Sequence, residues 1–116
     1  MSDDLLDSEL LGELRDIMAD DFTRLVEAFI QDGKFRCEAM RAALQAGDGE
    51  QLRQLAHSLK GSSSNLGAHR LTGLCLELEQ QALSDMDAAA VTLQRIEPCL
   101  QEVCLALKAL DSGASE

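Results

Sequence analysis

The chain has no tryptophan and no tyrosine, and it carries three phenylalanines and a single proline among 116 residues. With aromatics at 3%, any core must be built from Leu, Ala, Ile, Val, Met and Cys, a palette that favours helices over sheets. No strand-like alternation, hairpin signal, repeat or low-complexity linker occurs. No apolar run reaches the ~20 residues of a membrane span. Met1 to Asp7 lack the basic and apolar regions of a signal peptide, so the expected location is cytoplasmic. Positive charge is also scarce, with 10 Lys and Arg against 21 Asp and Glu, a formal net charge of -11. Such a surface repels nucleic acid and anionic membranes, which argues against either as a partner.

Three further absences narrow the chemistry. There is no G-x-x-x-x-G-K-[ST] and no Gly-rich nucleotide loop, so a kinase that binds ATP by a known motif is disfavoured. There is no Glu-x-x-His pair of the kind that builds metal centres in helical bundles. Cys37, Cys75, Cys99 and Cys104 form no C-x-x-C and are not paired with His at zinc-finger spacing. They fall on or beside apolar helix faces and read as reduced core residues. A Ser-His-Asp hydrolase would need an oxyanion hole that a plain bundle does not offer.

What is present is helical periodicity. Hydrophobic residues make up 46% of the chain, enough for one core at this length. Asp7 or Ser8 can cap a first helix to Met18, with Leu10, Leu11, Leu14, Ile17 and Met18 on its apolar side. A second helix opens at Asp20 and Asp21 and carries Phe22, Leu25, Val26, Phe29, Ile30, Cys37, Met40 and Leu44 at spacings of three and four. Gly33 interrupts that pattern and predicts a bend. Gly47 suits a C-terminal left-handed position, and Asp48 with Gln51 resembles a capping box. A third helix follows from about Gly49 to Leu66, and a fourth from about Ala68 to Leu83, with Leu71, Leu74, Cys75, Leu78 and Ala82 inward. So short a link sets these two antiparallel. A fifth, capped in Ser84–Asp87, runs to about Leu110, with a kink expected at Pro98. The expected fold is all-α: an antiparallel four-helix bundle with a short additional N-terminal helix. It forms one domain over 1–116, monomeric, with flexible ends at 1–6 and 111–116.

The third helix carries the chemistry. At about 100° per residue, His57, Lys60, Gly61 and Ser64 share one side, with Arg53 a turn earlier. Leu52, Leu55, Leu59, Ser62 and Leu66 lie roughly opposite, and the Ser62 hydroxyl can return to the carbonyl of Ser58. His57 is therefore expected in water. Lys60 and Arg53 disfavour a second positive charge beside them, which leaves a ring nitrogen lone pair available. Gly61 is costly in mid-helix unless something must approach closely. A nucleophilic lone pair, cations for phosphate oxygens and clearance for a docking protein fit phosphorylation on the imidazole and onward transfer. His69, at the start of the fourth helix, has none of these neighbours and reads as surface or capping.

His57-Ser58-Leu59-Lys60-Gly61-Ser62-Ser63, then Leu66-Gly67-Ala68, Leu71 and Leu78-Glu79, strongly resemble the histidine-containing phosphotransfer (HPt) domain of bacterial multistep phosphorelays. Phe29, Leu44, Ala46-Gly47-Asp48 and Leu52 extend the resemblance upstream, so that it covers about Leu10 to Glu79 and weakens in the fifth helix. The length is that of a free-standing domain. The resemblance implies that His57 is the phosphoacceptor through Nε2, that Lys60 stabilises the phosphoryl group and that Gly61 leaves room for a receiver domain. Arg53 would add auxiliary charge. Glu79 stands where some relatives carry Gln, and its role is open at this stage. Implied partners are receiver domains of hybrid sensor kinases and of a response regulator. They would supply the aspartate and the Mg²⁺, so the chain would be a carrier with no cofactor of its own. A non-catalytic adaptor that binds receivers through the same face is the alternative.

Overall fold

The computed structural model of the chain describes residues 5–112. Five helices follow in order: α1 (Ser8–Met18), α2 (Asp20–Ala46), α3 (Gly49–Asn65), α4 (His69–Gln81) and α5 (Met86–Ser112). Local chemistry sets their ends. The Asp7 carboxylate accepts from the Leu10 N–H at 3.0 Å, and Asp48 accepts from Gln51 at 3.0 Å, each answering an orphan donor of a first turn. Asp85 does the same for Ala88 at 3.1 Å. Gly47 closes α2 at φ 71°, a left-handed position that glycine adopts without penalty.

Cross-links between helices give the topology. α3 and α4 are joined by His57 with Glu79 and by Ser63 with Thr72. α4 and α5 are joined by Gln81 with Thr92, Glu77 with Arg95 and Arg70 with Glu102. α2 and α5 are joined by Thr23 with Asp111 and Arg41 with Glu97. In every set one number rises as the other falls, so the neighbours are antiparallel. α2 and α4 each pack against both α3 and α5, which leaves α3 and α5 on a diagonal. The long axis of 44 Å is slightly more than the ~40 Å of a 27-residue helix. This is the expected antiparallel four-helix bundle with an added N-terminal helix.

The core is aliphatic. Met40, Leu52, Ala56, Leu59, Leu71, Cys75, Leu78, Ile96, Val103 and Leu107 are fully enclosed, and Phe22 is the large aromatic among them. Cys37, Cys75, Cys99 and Cys104 are all buried free thiols. Among the described residues no helix is long and apolar enough to cross a membrane.

α2 is continuous through Gly33, where a Cβ would lie 3.1 Å from Leu100 Cδ1, so the glycine admits the close approach of α5. α5 is continuous through Pro98. Expectations change in detail at the helix ends. α4 stops at Gln81, and the backbone turns where the Ser84 and Asp85 N–H groups both reach the Gln81 carbonyl. The lead is not loose at its inner end, because Leu6 is buried in the core. Asp111 and Ser112 belong to α5. The rest of both ends, 1–4 and 113–116, lies outside the described residues.

α1 closes one end of the bundle. The Asp7 N–H donates to Gly67 O at 3.0 Å, at the α3–α4 turn. Gly67 has φ 69°, and a Cβ there would collide with Asp7, so glycine is required twice over. Eight residues on, the Arg15 guanidinium donates to Leu110 O of α5 at 2.9 Å. α1 thus runs from the α3–α4 turn towards the C-terminal end of α5. One residue, Ala19 at φ 52°, makes the corner into α2.

Candidate functional site

His57 sits mid-way along α3 with 64% of its side chain exposed. The expected outward face is therefore real, and its cause is the phase of the helix: Ala56 and Leu59, on either side of it, are fully buried. The phase differs from expectation at one point. Ser63, not Ser62, is the buried serine, and its Oγ lies 2.8 Å from Leu59 O and 3.1 Å from Lys60 O. Thr72 Oγ1 of α4 lies 3.1 Å from the same Ser63 Oγ. Ser63 follows Ala56 and Leu59 at helical spacing, so the inward stripe runs through Leu52, Ala56, Leu59 and Ser63, with Leu55 half-buried against the core at its edge and Ser62 off it.

The imidazole is held from α4. His57 Nδ1 lies 2.9 Å from Glu79 Oε2, and the other carboxylate oxygen, Oε1, lies 2.8 Å from Lys60 Nζ. Glu79 and Lys60 are mostly enclosed, with side chains 17% and 26% exposed. The Lys60 ammonium, reinforced by the His57 N–H against the opposing effect of burial, holds the Glu79 carboxyl below the ordinary carboxylate range. An ionised carboxylate only accepts, so the ring must donate. Nδ1 therefore carries the proton in the neutral ring, and Nε2 carries the lone pair.

Of the predicted residues, the structure brings His57 and Lys60 together through Glu79. Gly61 is exposed, and a Cβ built on it would meet nothing within 4 Å. Its lack of a side chain is thus not forced by packing among the described residues. Arg53 is placed otherwise. Its Nε and Nη2 bind Glu50 at 3.2 and 2.7 Å, so its charge is matched within the first turns of α3. His69 is exposed at the start of α4, away from this cluster. On α1, Leu14 and Met18 pack against the core, and the exposed Ile17 lies near the end that reaches α5.

The placement of Glu79 beside His57 is legible in the sequence, and its role is not. Positions 57 and 79 are equidistant from Ala68 in the short α3–α4 link, so antiparallel pairing sets them side by side. Among the described residues no three His, Cys, Asp or Glu side chains are grouped to hold a metal ion.

Comparison with known proteins decides the family. The model of the "Hpt domain" matches residues 24–113. The chain belongs to the Hpt domain family. The match runs through α5, further than the motif around His57 alone reaches. Among solved structures, this Hpt chain is similar to histidine-containing phosphotransfer protein B (HptB) from Pseudomonas aeruginosa PAO1. The two are 38% identical with a TM-score of 0.85, over 90% of this chain and 91% of that one. It also resembles the sensor protein TorS of Escherichia coli (strain K12), 51% identical over 37 residues, which are 32% of this chain and 4% of TorS.

Proposed function

We propose that this Hpt chain is a phosphoryl carrier in a multistep phosphorelay, with His57 as the acceptor. It takes the phosphoryl group from a phospho-aspartate of one receiver domain and returns it to the aspartate of another. The observation that carries this reading is the division of labour on one exposed ring: Nδ1 is tied to Glu79, and Nε2 is left with the lone pair.

The step balances as follows. Nε2 attacks phosphorus, the N–P bond forms, and the P–O bond of the acyl phosphate breaks to release the aspartate carboxylate. The ring keeps its Nδ1 proton and becomes cationic. That charge develops beside the Glu79 carboxylate, so the Nδ1–H bond becomes charge-assisted on the way to product. Lys60 has three donors and uses one direction on Glu79, which leaves others for phosphoryl oxygens. Glu79 does not repel the incoming anion as a bare carboxylate would, because Lys60 and the imidazole occupy its two oxygens. Gly61 supplies clearance for the donor. Arg53, matched by Glu50, contributes background charge rather than a contact.

Transfer of this kind is positioning plus charge stabilisation. The receiver brings the aspartate and the Mg²⁺, and the carrier needs no cofactor of its own. Its work is cytoplasmic, between receiver domains of a hybrid sensor kinase and of a response regulator. The test is labelling by a phosphorylated receiver. His57→Gln abolishes it while the helical circular dichroism stays native. Label that persists in that variant removes His57 from the role, and full biological activity of His57→Ala points to the adaptor instead.

A further inference from the structure

We propose that the groove between α2 and α5 binds an aliphatic carboxylate of medium chain length, with its anionic head between Lys34 and Lys108 and its chain on the apolar floor. No residue of α3 lines this groove, so the site is separate from His57 and does not depend on the carrier reading. The groove has a volume of about 420 Å³, within the usual range of small-molecule sites. Ile30, Cys37, Leu100 and Cys104 are buried residues that form its floor, and Leu105, 67% exposed, stands at its lip.

Charge is sorted along the groove. α2 and α5 are antiparallel, and at one end the Arg41 guanidinium donates to Glu97 at 2.9 Å. Glu38, one turn before Arg41, is the other carboxylate that lines the groove. Lys34 and Lys108 stand towards the opposite end, one turn from Ile30 and from Cys104 respectively, and both are exposed. The two thiols register the difference. Glu97, Arg41 and Glu38 all act on Cys37, whereas the charges that act on Cys104 are Lys34 and Lys108, with no carboxylate among them. One stretch of the groove is therefore positive above an apolar floor, and the next is mixed.

These lysines are exceptions in this chain. Of its 10 basic side chains, seven pair with a carboxylate, and Arg15 donates to Leu110 O. Lys34 and Lys108 are the two that remain, without a partner among the described residues. Glu27 and Asp111 lie a turn from Ile30 and Lys108, but neither lines the groove, and Asp111 accepts from Thr23 at 2.7 Å. An ammonium has three donors and no acceptor, so two of them can share one carboxylate through charge-assisted bonds. Their methylene stems extend the apolar wall. Glu38 and Glu97 disfavour a second anionic group further along, which selects a ligand with one charged end and one apolar end.

The experiment titrates the full nitrogen-15-labelled chain with decanoate, below its micelle concentration, and follows the backbone amide shifts. The shifts should saturate and concentrate in 30–41 and 97–108. The double variant Lys34→Gln, Lys108→Gln should bind about tenfold more weakly, and Leu105→Asp should weaken binding in the same direction. Native amide spectra of these surface variants separate loss of the site from loss of the fold. Decanol, which has the chain without the charge, and acetate, which has the charge without the chain, should both bind more weakly than decanoate. Decanedioate should also bind more weakly, because its second carboxylate meets Glu38 and Glu97. The absence of saturable shifts, shifts centred on another face, or equal decanoate affinity in wild type and the double lysine variant overturns the site. Decanol or decanedioate binding as tightly as decanoate overturns the assigned ligand class.

Discussion

At the scale of single residues, Glu79 connects stability to chemistry. Its carboxyl is held below the ordinary value of 4.5 in the folded state, chiefly by Lys60. The folded chain therefore binds fewer protons at this site than the unfolded chain. The stabilisation is fully present above about 4.5 and is lost as pH falls through the depressed folded value. Thermal unfolding of wild type and Glu79→Gln should thus differ most near neutrality and converge in acid. A difference that stays unchanged throughout acid titration would contradict this account of Glu79. The glutamine can still accept from Nδ1–H, so the tautomer survives, but the carboxylate that faces the developing imidazolium does not. Transfer to Glu79→Gln should slow by about tenfold, the worth of a charge-assisted over a neutral hydrogen bond, as read in a quenched-flow labelling assay. Ser63 gives a second case. Its buried hydroxyl meets Thr72 and two carbonyls of its own helix, so Ser63→Ala should cost about 1 kcal/mol in urea unfolding. The same change at half-exposed Ser62 should cost far less.

At the scale of elements, the glycine in α3 opposes stability to function. A mid-helix glycine costs roughly 0.5–1 kcal/mol relative to alanine, and among the described residues no neighbouring group lies within 4 Å of a Cβ built on Gly61. Gly61→Ala should therefore raise the unfolding midpoint while it slows acceptance from a receiver, and Gly61→Leu should slow it further. An alanine variant that is more stable and transfers as fast as wild type would remove clearance as the reason for the glycine. At Gly33 the opposite holds, because a side chain would press on Leu100. The helices themselves were legible from period and caps: Asp7, Gly47 and Asp48 end elements where their chemistry says they should. What was not legible depended on neighbours. Gly33 reads as a bend in isolation, and its contact with Leu100 shows only once α5 is beside it. Ser62 fits a leucine stripe on paper, yet the partner helices enclose Ala56 and Ser63 beside Leu59. The course of α1 hangs on one backbone bond to Gly67 and one guanidinium on α5, neither of which has a local signature.

At the scale of the molecule, an aliphatic bundle rod holds the His57 ring in water and keeps its four thiols out of it. Burial pushes the Cys37 thiol up to about 11 and the Cys75 thiol up to about 12, so neither offers thiolate at neutral pH. Alkylation by iodoacetamide should be slow in the native protein and rapid in urea; fast native modification of Cys75 would contradict the packing. The candidate site was readable because His57, Lys60 and Gly61 are close in sequence and share a helix. Glu79 completes it from another helix, and its function came only from the distances to both oxygens. The most direct measurement of the central claim is the site of the phosphoryl group on the ring. Nitrogen-15 and phosphorus-31 NMR of the protein labelled by a phosphorylated receiver should show phosphohistidine at His57 bonded through Nε2, with Nδ1 still protonated. Bonding through Nδ1, or a phosphoryl group on any other residue, would contradict it.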